Sequence, residues 1–162
     1  DKRVNKAVLT LLSSNIGHNL PTYIVPKIRM TGILIDKQGK KIAASLRNKT
    51  LQRIVEYTDR GWQERRDTRL KPGESVSLSV PWRVGKRQGE QIRFRIEVIP
   101  DDYYINNVYR PILSTETDDL IRKTIQKADR EARSNSYRLY EKIIDRPIAN
   151  TQNRQSTNKT GE

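Results

Sequence analysis

The sequence predicts an antiparallel β-sandwich of about six to eight strands, followed by a C-terminal α-helix and a disordered tail. Three observations carry this. Val76, Leu78 and Val80 alternate strictly with serines, and Ile92, Phe94, Ile96 and Val98 alternate with Arg and Glu. Turn signals recur at short intervals, the clearest being Asp36–Lys40 and Pro72-Gly73. Helical spacing is clearest in one stretch, about 116–134. The sandwich is assigned to residues 1–148 and a flexible polar tail to 149–162.

In chain order, Val4–Ser14 is rich in Val, Leu and Thr and reads as a first strand. A loop, Asn15–Pro26, separates it from a second, Ile28–Ile35, with Pro26 just before the strand, where proline is tolerated. Ile28, Met30, Gly32 and Leu34 share one face of this strand, and Ile33 and Ile35 the other, so its end is buried on both sides. Asp36-Lys-Gln-Gly-Lys40 is a tight turn with Gly39 free to take positive φ. Lys41–Leu46 then returns as a third strand, and Leu51–Tyr57 reads as a fourth.

Asp59–Arg69 is polar and reads as a loop around Gly61-Trp62. Lys71-Pro-Gly-Glu74 has the type II arrangement, proline first and glycine second. The two alternating strands follow and end at Pro100. Past it, Tyr103, Tyr104, Ile105, Tyr109, Ile112 and Leu113 fall at roughly helical spacing, with Pro111 expected to break any helix. Thr115-Glu-Thr-Asp118 resembles a capping box opening the helix at 116–134. Leu120, Ile121, Thr124, Ile125, Ala128 and Ala132 fall on one face of it. Tyr137–Ile144 is β-prone and is expected to add an edge strand. From Ala149 onward the chain is nearly all Asn, Gln, Thr, Ser, Lys and Arg, the composition of a disordered tail.

The absence of cysteine excludes disulfides, thiol nucleophiles, Cys-containing zinc sites and covalent haem attachment within these residues. No apolar run approaches the roughly 18–20 residues of a transmembrane helix. The sequence begins at Asp1, so it is expected to be a processed mature chain or a piece of something longer. Lys and Arg exceed Asp and Glu by 32 to 19, a net charge of +13 that attracts anionic partners. The basic residues are spread along the chain without a block, as on an ordinary solvated surface.

The candidate sites are few. His18, the only histidine, stands between Gly17 and Pro21 in the first loop. It could ligate iron, act as a base, or simply hydrogen-bond its neighbours, and the residues alone favour the last. Zinc needs several ligands, and no nucleophile elbow accompanies the histidine. Haem iron differs, because one side chain suffices for each axial position. Asp118-Asp119 suit a helix N-terminus and Asp101-Asp102 a short helix cap, so neither pair points to catalysis. Arg60, Arg65, Arg66 and Arg69 with Trp62 form the best basic–aromatic patch, yet no known nucleic-acid-binding pattern accompanies it. Tyr103, Tyr104, Tyr109, Tyr137 and Tyr140 read as core and edge packing.

Three motifs in order carry a resemblance. Gly17-His18-x-x-Pro21-Thr22 lies between the first two strands, Asp67-Thr68-Arg69-Leu70 precedes Pro72-Gly73-Glu74-Ser75, and Pro100-Asp-Asp-Tyr-Tyr104 follows the last long strand. Together, from about Val8 to about Arg146, they resemble the non-haem C-terminal β-sandwich domain of multihaem c-type cytochromes. The departure is that no Cys-x-x-Cys-His occurs. The resemblance implies an electron-transfer module, not an enzyme, working in the periplasm or outside the cell. It implies haem c attached outside these residues, with His18 as a distal axial ligand to its iron. The implied partner is a haem-bearing domain or subunit, with an acidic redox partner in addition and nucleic acid disfavoured. The alternative is an extracytoplasmic assembly module with a basic docking surface and no haem ligation.

Overall fold

A computed structural model describes residues 5–147. The chain is mainly β. Strands β1 (Lys6–Leu12) and β6 (Ser75–Pro81) pair antiparallel as one small sheet, with Leu9 opposite Leu78. A four-stranded antiparallel sheet has the order β10-β9-β2-β3, formed by Tyr137–Asp145, Gln91–Ile99, Lys27–Ile35 and Arg47–Leu51. The small sheet covers one face of the large one, giving the sandwich the alternation predicts.

The core lies between them. Ile28, Met30 and Leu34 from β2, Ile92, Phe94 and Ile96 from β9, and Leu78 and Val80 from β6 are all buried. Each such side chain contributes roughly 1.5–3 kcal/mol relative to exposure. Gly32 marks where the sheets come closest: a Cβ there would lie 2.5 Å from Val80 Cγ2 and 2.9 Å from Phe94 Cε1. The opposite face of the large sheet is polar and carries cross-strand ion pairs, Arg29–Glu97 at 2.9 Å and Arg95–Glu141 at 2.5 Å.

The turns form as their residues dictate. Gly39 and Gly73 have φ of 76° and 82°. Asp36 Oδ1 accepts from the Gln38 and Lys40 amides, and the Glu74 amide closes the Pro72-Gly73 turn on Lys71 O at 3.0 Å.

Five expectations need correction. The third strand does not occupy Lys41–Leu46, because after one bridge from Lys41 to Ile35 the chain makes a short 3₁₀ turn, Ala43–Ser45. Buried Ser45 accepts the Leu34 amide at 2.8 Å and donates to Ile42 O at 2.6 Å, replacing strand pairing with its hydroxyl. The expected fourth strand is split at Gln52, where Thr68 Oγ1 accepts the Gln52 amide and donates to Thr50 O. The expected loop at Asp59–Arg69 is half of a hairpin, β4 (Arg53–Thr58) with β5 (Gly61–Asp67). Neither face of β5 is apolar, so hydrophobic periodicity had nothing to register there. Cross-strand pairs Arg53–Glu64 and Arg65–Glu56 and an edge-on Tyr57–Trp62 contact hold it instead. A further small hairpin, β7 (Arg83–Val84) with β8 (Arg87–Gln88), precedes β9.

The other two corrections concern helices. Pro111 does not break the one after β9: helical turns run from α1 (Asp102–Tyr104) through a π-helical turn, Ile105–Tyr109, into α2 (Arg110–Thr115). The wider turn falls just before the proline, where its missing N–H disturbs the ladder. The main helix, α3 (Asp119–Ser134), is capped by Asp118 rather than Thr115; the Asp118 carboxylate accepts the Leu120 and Ile121 amides. The helix packs on α1, α2 and the π-turn. Ala132 is buried there, but Leu120 and Ile121 at its start are exposed. The tail expected at 149–162 lies outside the described residues.

Candidate functional site

His18 sits in the loop between β1 and β2, and four sets of main-chain contacts pin that loop. Ser13 exchanges hydrogen bonds with Gly73 and Glu74 of the type II turn. Leu20 pairs with Leu70 through two backbone bonds of 2.8 and 2.9 Å. Thr22 O accepts from Arg69 Nη1 at 2.8 Å, and Val25 O accepts the Tyr103 amide. Between these points Asn15 takes a left-handed conformation, φ 58°, which asparagine tolerates, and Pro21 is buried behind a cis Leu20–Pro21 bond.

The imidazole itself is exposed and polarised. Nδ1 lies 3.1 Å from Asn19 O and 3.2 Å from Thr22 Oγ1. A carbonyl only accepts, so the Asn19 contact belongs to the tautomer with the proton on Nδ1, whereas in the other tautomer Nδ1 accepts from the Thr22 hydroxyl. In the Nδ1–H tautomer Nε2 carries the lone pair, and Nε2 forms no hydrogen bond among the described residues. An imidazole whose Nδ1–H is held by a carbonyl presents Nε2 as a metal ligand does.

Residues Asp67 to Leu70 supply much of the loop's support. Arg69 is turned inward, its side chain only 10% exposed. Asp67 grips it in a bidentate pair, Nε to Oδ1 at 2.9 Å and Nη2 to Oδ2 at 2.6 Å, leaving Nη1 for Thr22. The Arg69 hydrogen bonds hold the Asp67 carboxyl below its ordinary range, against a partial desolvation, and Asp67 raises Arg69 in turn. Two of the three sequence motifs therefore meet in space. Their contact spans 47 positions, so no local pattern announced it.

The structure separates the remaining candidates. Asp101 accepts from Asn135 Nδ2, and Asp102 pairs with Lys27 at 2.6 Å, both tying the helices to the sheet region. Asp118 caps α3 and Asp119 lies in its first turn. The basic patch is broken up: Arg69 is committed to Asp67 and Arg65 to Glu56. Arg60 and Arg66 form no ion pair among the described residues, and Trp62 is exposed against Tyr57. The tyrosines lie outside the buried core. Tyr104 stacks on Tyr109 near the helix start, while Tyr137 and Tyr140 are exposed on the edge strand. Among the described residues no three His, Cys, Asp or Glu side chains form a metal cluster, and no helix is long and apolar enough to cross a membrane.

A solved structure that shares this fold is a penta-heme cytochrome c552 from Thermochromatium tepidum, with a TM-score of 0.56 and 11% sequence identity. The likeness covers 90% of this chain but 37% of that one, so the chain spans little more than a third of the cytochrome's length. At that identity the likeness establishes fold. No family model and no curated protein matches the chain.

Proposed function

We propose that this chain is a haem-free electron-transfer module that packs beside a haem-bearing domain or subunit and offers His18 as an axial ligand. The observation that carries this is the setting of the ring: Nδ1 faces Asn19 O and Thr22 Oγ1, and Nε2 forms no hydrogen bond among the described residues, on an exposed, pinned loop. The residues fit the group, since one axial position needs one imidazole nitrogen. A bound haem would supply one-electron chemistry, and it has to be attached through residues other than these, which include no cysteine. The fold likeness to a penta-heme cytochrome supports such a setting. The module would not itself be an enzyme, and its place would be the periplasm or the extracellular space, as the sequence resemblance implies.

A second reading, docking without ligation, is favoured by a different observation. Leu120 and Ile121 on α3, and Leu139 and Ile143 on the edge strand β10, are exposed apolar side chains of the kind a neighbouring domain covers. The two readings part on His18. The test titrates the chain with a haem c-peptide bearing one histidine ligand and an open sixth position. Ligation predicts that the haem turns low-spin with the intact chain and stays high-spin with His18→Ala. An identical response from both proteins would leave docking as the function.

A further inference from the structure

We propose that Arg69 is a positioning residue for His18, acting through Thr22 and held in place by Asp67. The proposal rests on the reading of His18 as a ligand, and it names what sets that ligand's orientation. The geometry is a chain of contacts. Asp67 fixes the guanidinium through Nε and Nη2, Nη1 donates to Thr22 O at 2.8 Å, and Thr22 Oγ1 stands 3.2 Å from His18 Nδ1. Asp67 Oδ1 also accepts the Arg69 amide at 3.0 Å, so the carboxylate holds both ends of the arginine.

Several features set this apart from an ordinary surface ion pair. Arg53–Glu64 and Arg65–Glu56 on the same hairpin have side chains 40–55% exposed, against 10% for Arg69. Those pairs also join neighbouring strands, whereas Arg69 reaches a carbonyl 47 residues away. The loop needs the contact at that place. Leu20 is already paired with Leu70, so Thr22 is the next residue that can be fixed beyond buried Pro21. Without it, the threonine hydroxyl has no fixed address, and the ring loses one of its two Nδ1 partners. Lysine cannot replace the arginine, because a single ammonium does not reproduce the planar fork that spans carboxylate and carbonyl.

Groups that orient a ligating histidine typically change affinity by roughly 10–100-fold when removed. The test uses the full chain and the haem c-peptide described above, with two readouts. The first is the affinity for the peptide. The second is the pair of His18 imidazole nitrogen chemical shifts in the free chain, which report the tautomer whether or not a haem is present. Arg69→Lys and Thr22→Val should each weaken peptide binding about tenfold or more and move the His18 nitrogen shifts away from their wild-type values. Thr22→Ser, which keeps the hydroxyl, should restore both, and Arg66→Lys should change neither.

Wild-type nitrogen shifts in Arg69→Lys and Thr22→Val would overturn the proposal, whatever the affinities do. If the intact chain fails to bind the peptide through His18, the ligation reading falls, and the nitrogen shifts still decide the positioning role. Should Arg69→Lys not fold, Thr22→Val breaks the same chain of contacts without disturbing a buried charge, and its nitrogen shifts decide the question alone.

Discussion

The sandwich core and the His18 loop lie in one small protein and are held by different forces. Between the sheets, Met30, Leu34, Val80 and Ile92 are fully buried, and stability there is a matter of volume and apolar area. Around His18 the supports are directional: Leu70 amide and carbonyl, the Arg69 guanidinium, the Thr22 hydroxyl. A core change should therefore alter how firmly the protein folds, and a loop change how its histidine is aimed.

The sharpest way to break this division is through the core. Met30→Ala removes a fully buried side chain and should cost about 2–5 kcal/mol in chemical denaturation, leaving the His18 nitrogen shifts at native conditions untouched. Gly32→Ala tests the opposite error, excess volume. Its new Cβ must displace Val80 and Phe94, at a cost of about 1–3 kcal/mol by the same measurement.

Asp67→Asn probes the directional side. The folded-state pKa of Asp67 lies below its ordinary value, chiefly through the Arg69 hydrogen bonds. Its contribution is thus full above about pH 4 and is lost as pH falls through the depressed folded value, because the unfolded chain takes up the proton first. A stability–pH curve for the variant should be flatter on the acid side, below about pH 4, with little difference in shape near neutrality. His18→Ala has the smallest expected effect on stability, within about 0.5 kcal/mol, since the side chain is exposed. A larger loss would mean that the histidine is a structural member of the loop.

What the sequence disclosed follows the same division. Strands β2, β6 and β9 each have one face against the core, so their alternation was plain, and Asp36, Gly39, Pro72 and Gly73 marked the turns between them. Strand β5 has no buried face, and its charged residues, which pair across the hairpin with those of β4, look in sequence like any polar loop. Ser45 and Thr68 were equally hard to foresee, because each uses a hydroxyl to end or divert a strand through partners that only the fold brings near. His18 stood out by being alone. Its support did not, since Arg69 resembles one more cation in a basic loop until the fold turns it inward against Thr22.

The most direct measurement of the central claim is nitrogen NMR of the neutral His18 imidazole in the unmodified chain. The ligation reading predicts the tautomer with the proton on Nδ1, hydrogen-bonded to Asn19 O, and the lone pair on Nε2. A ring protonated on Nε2 would contradict the account, because that nitrogen could not then stand ready as a ligand.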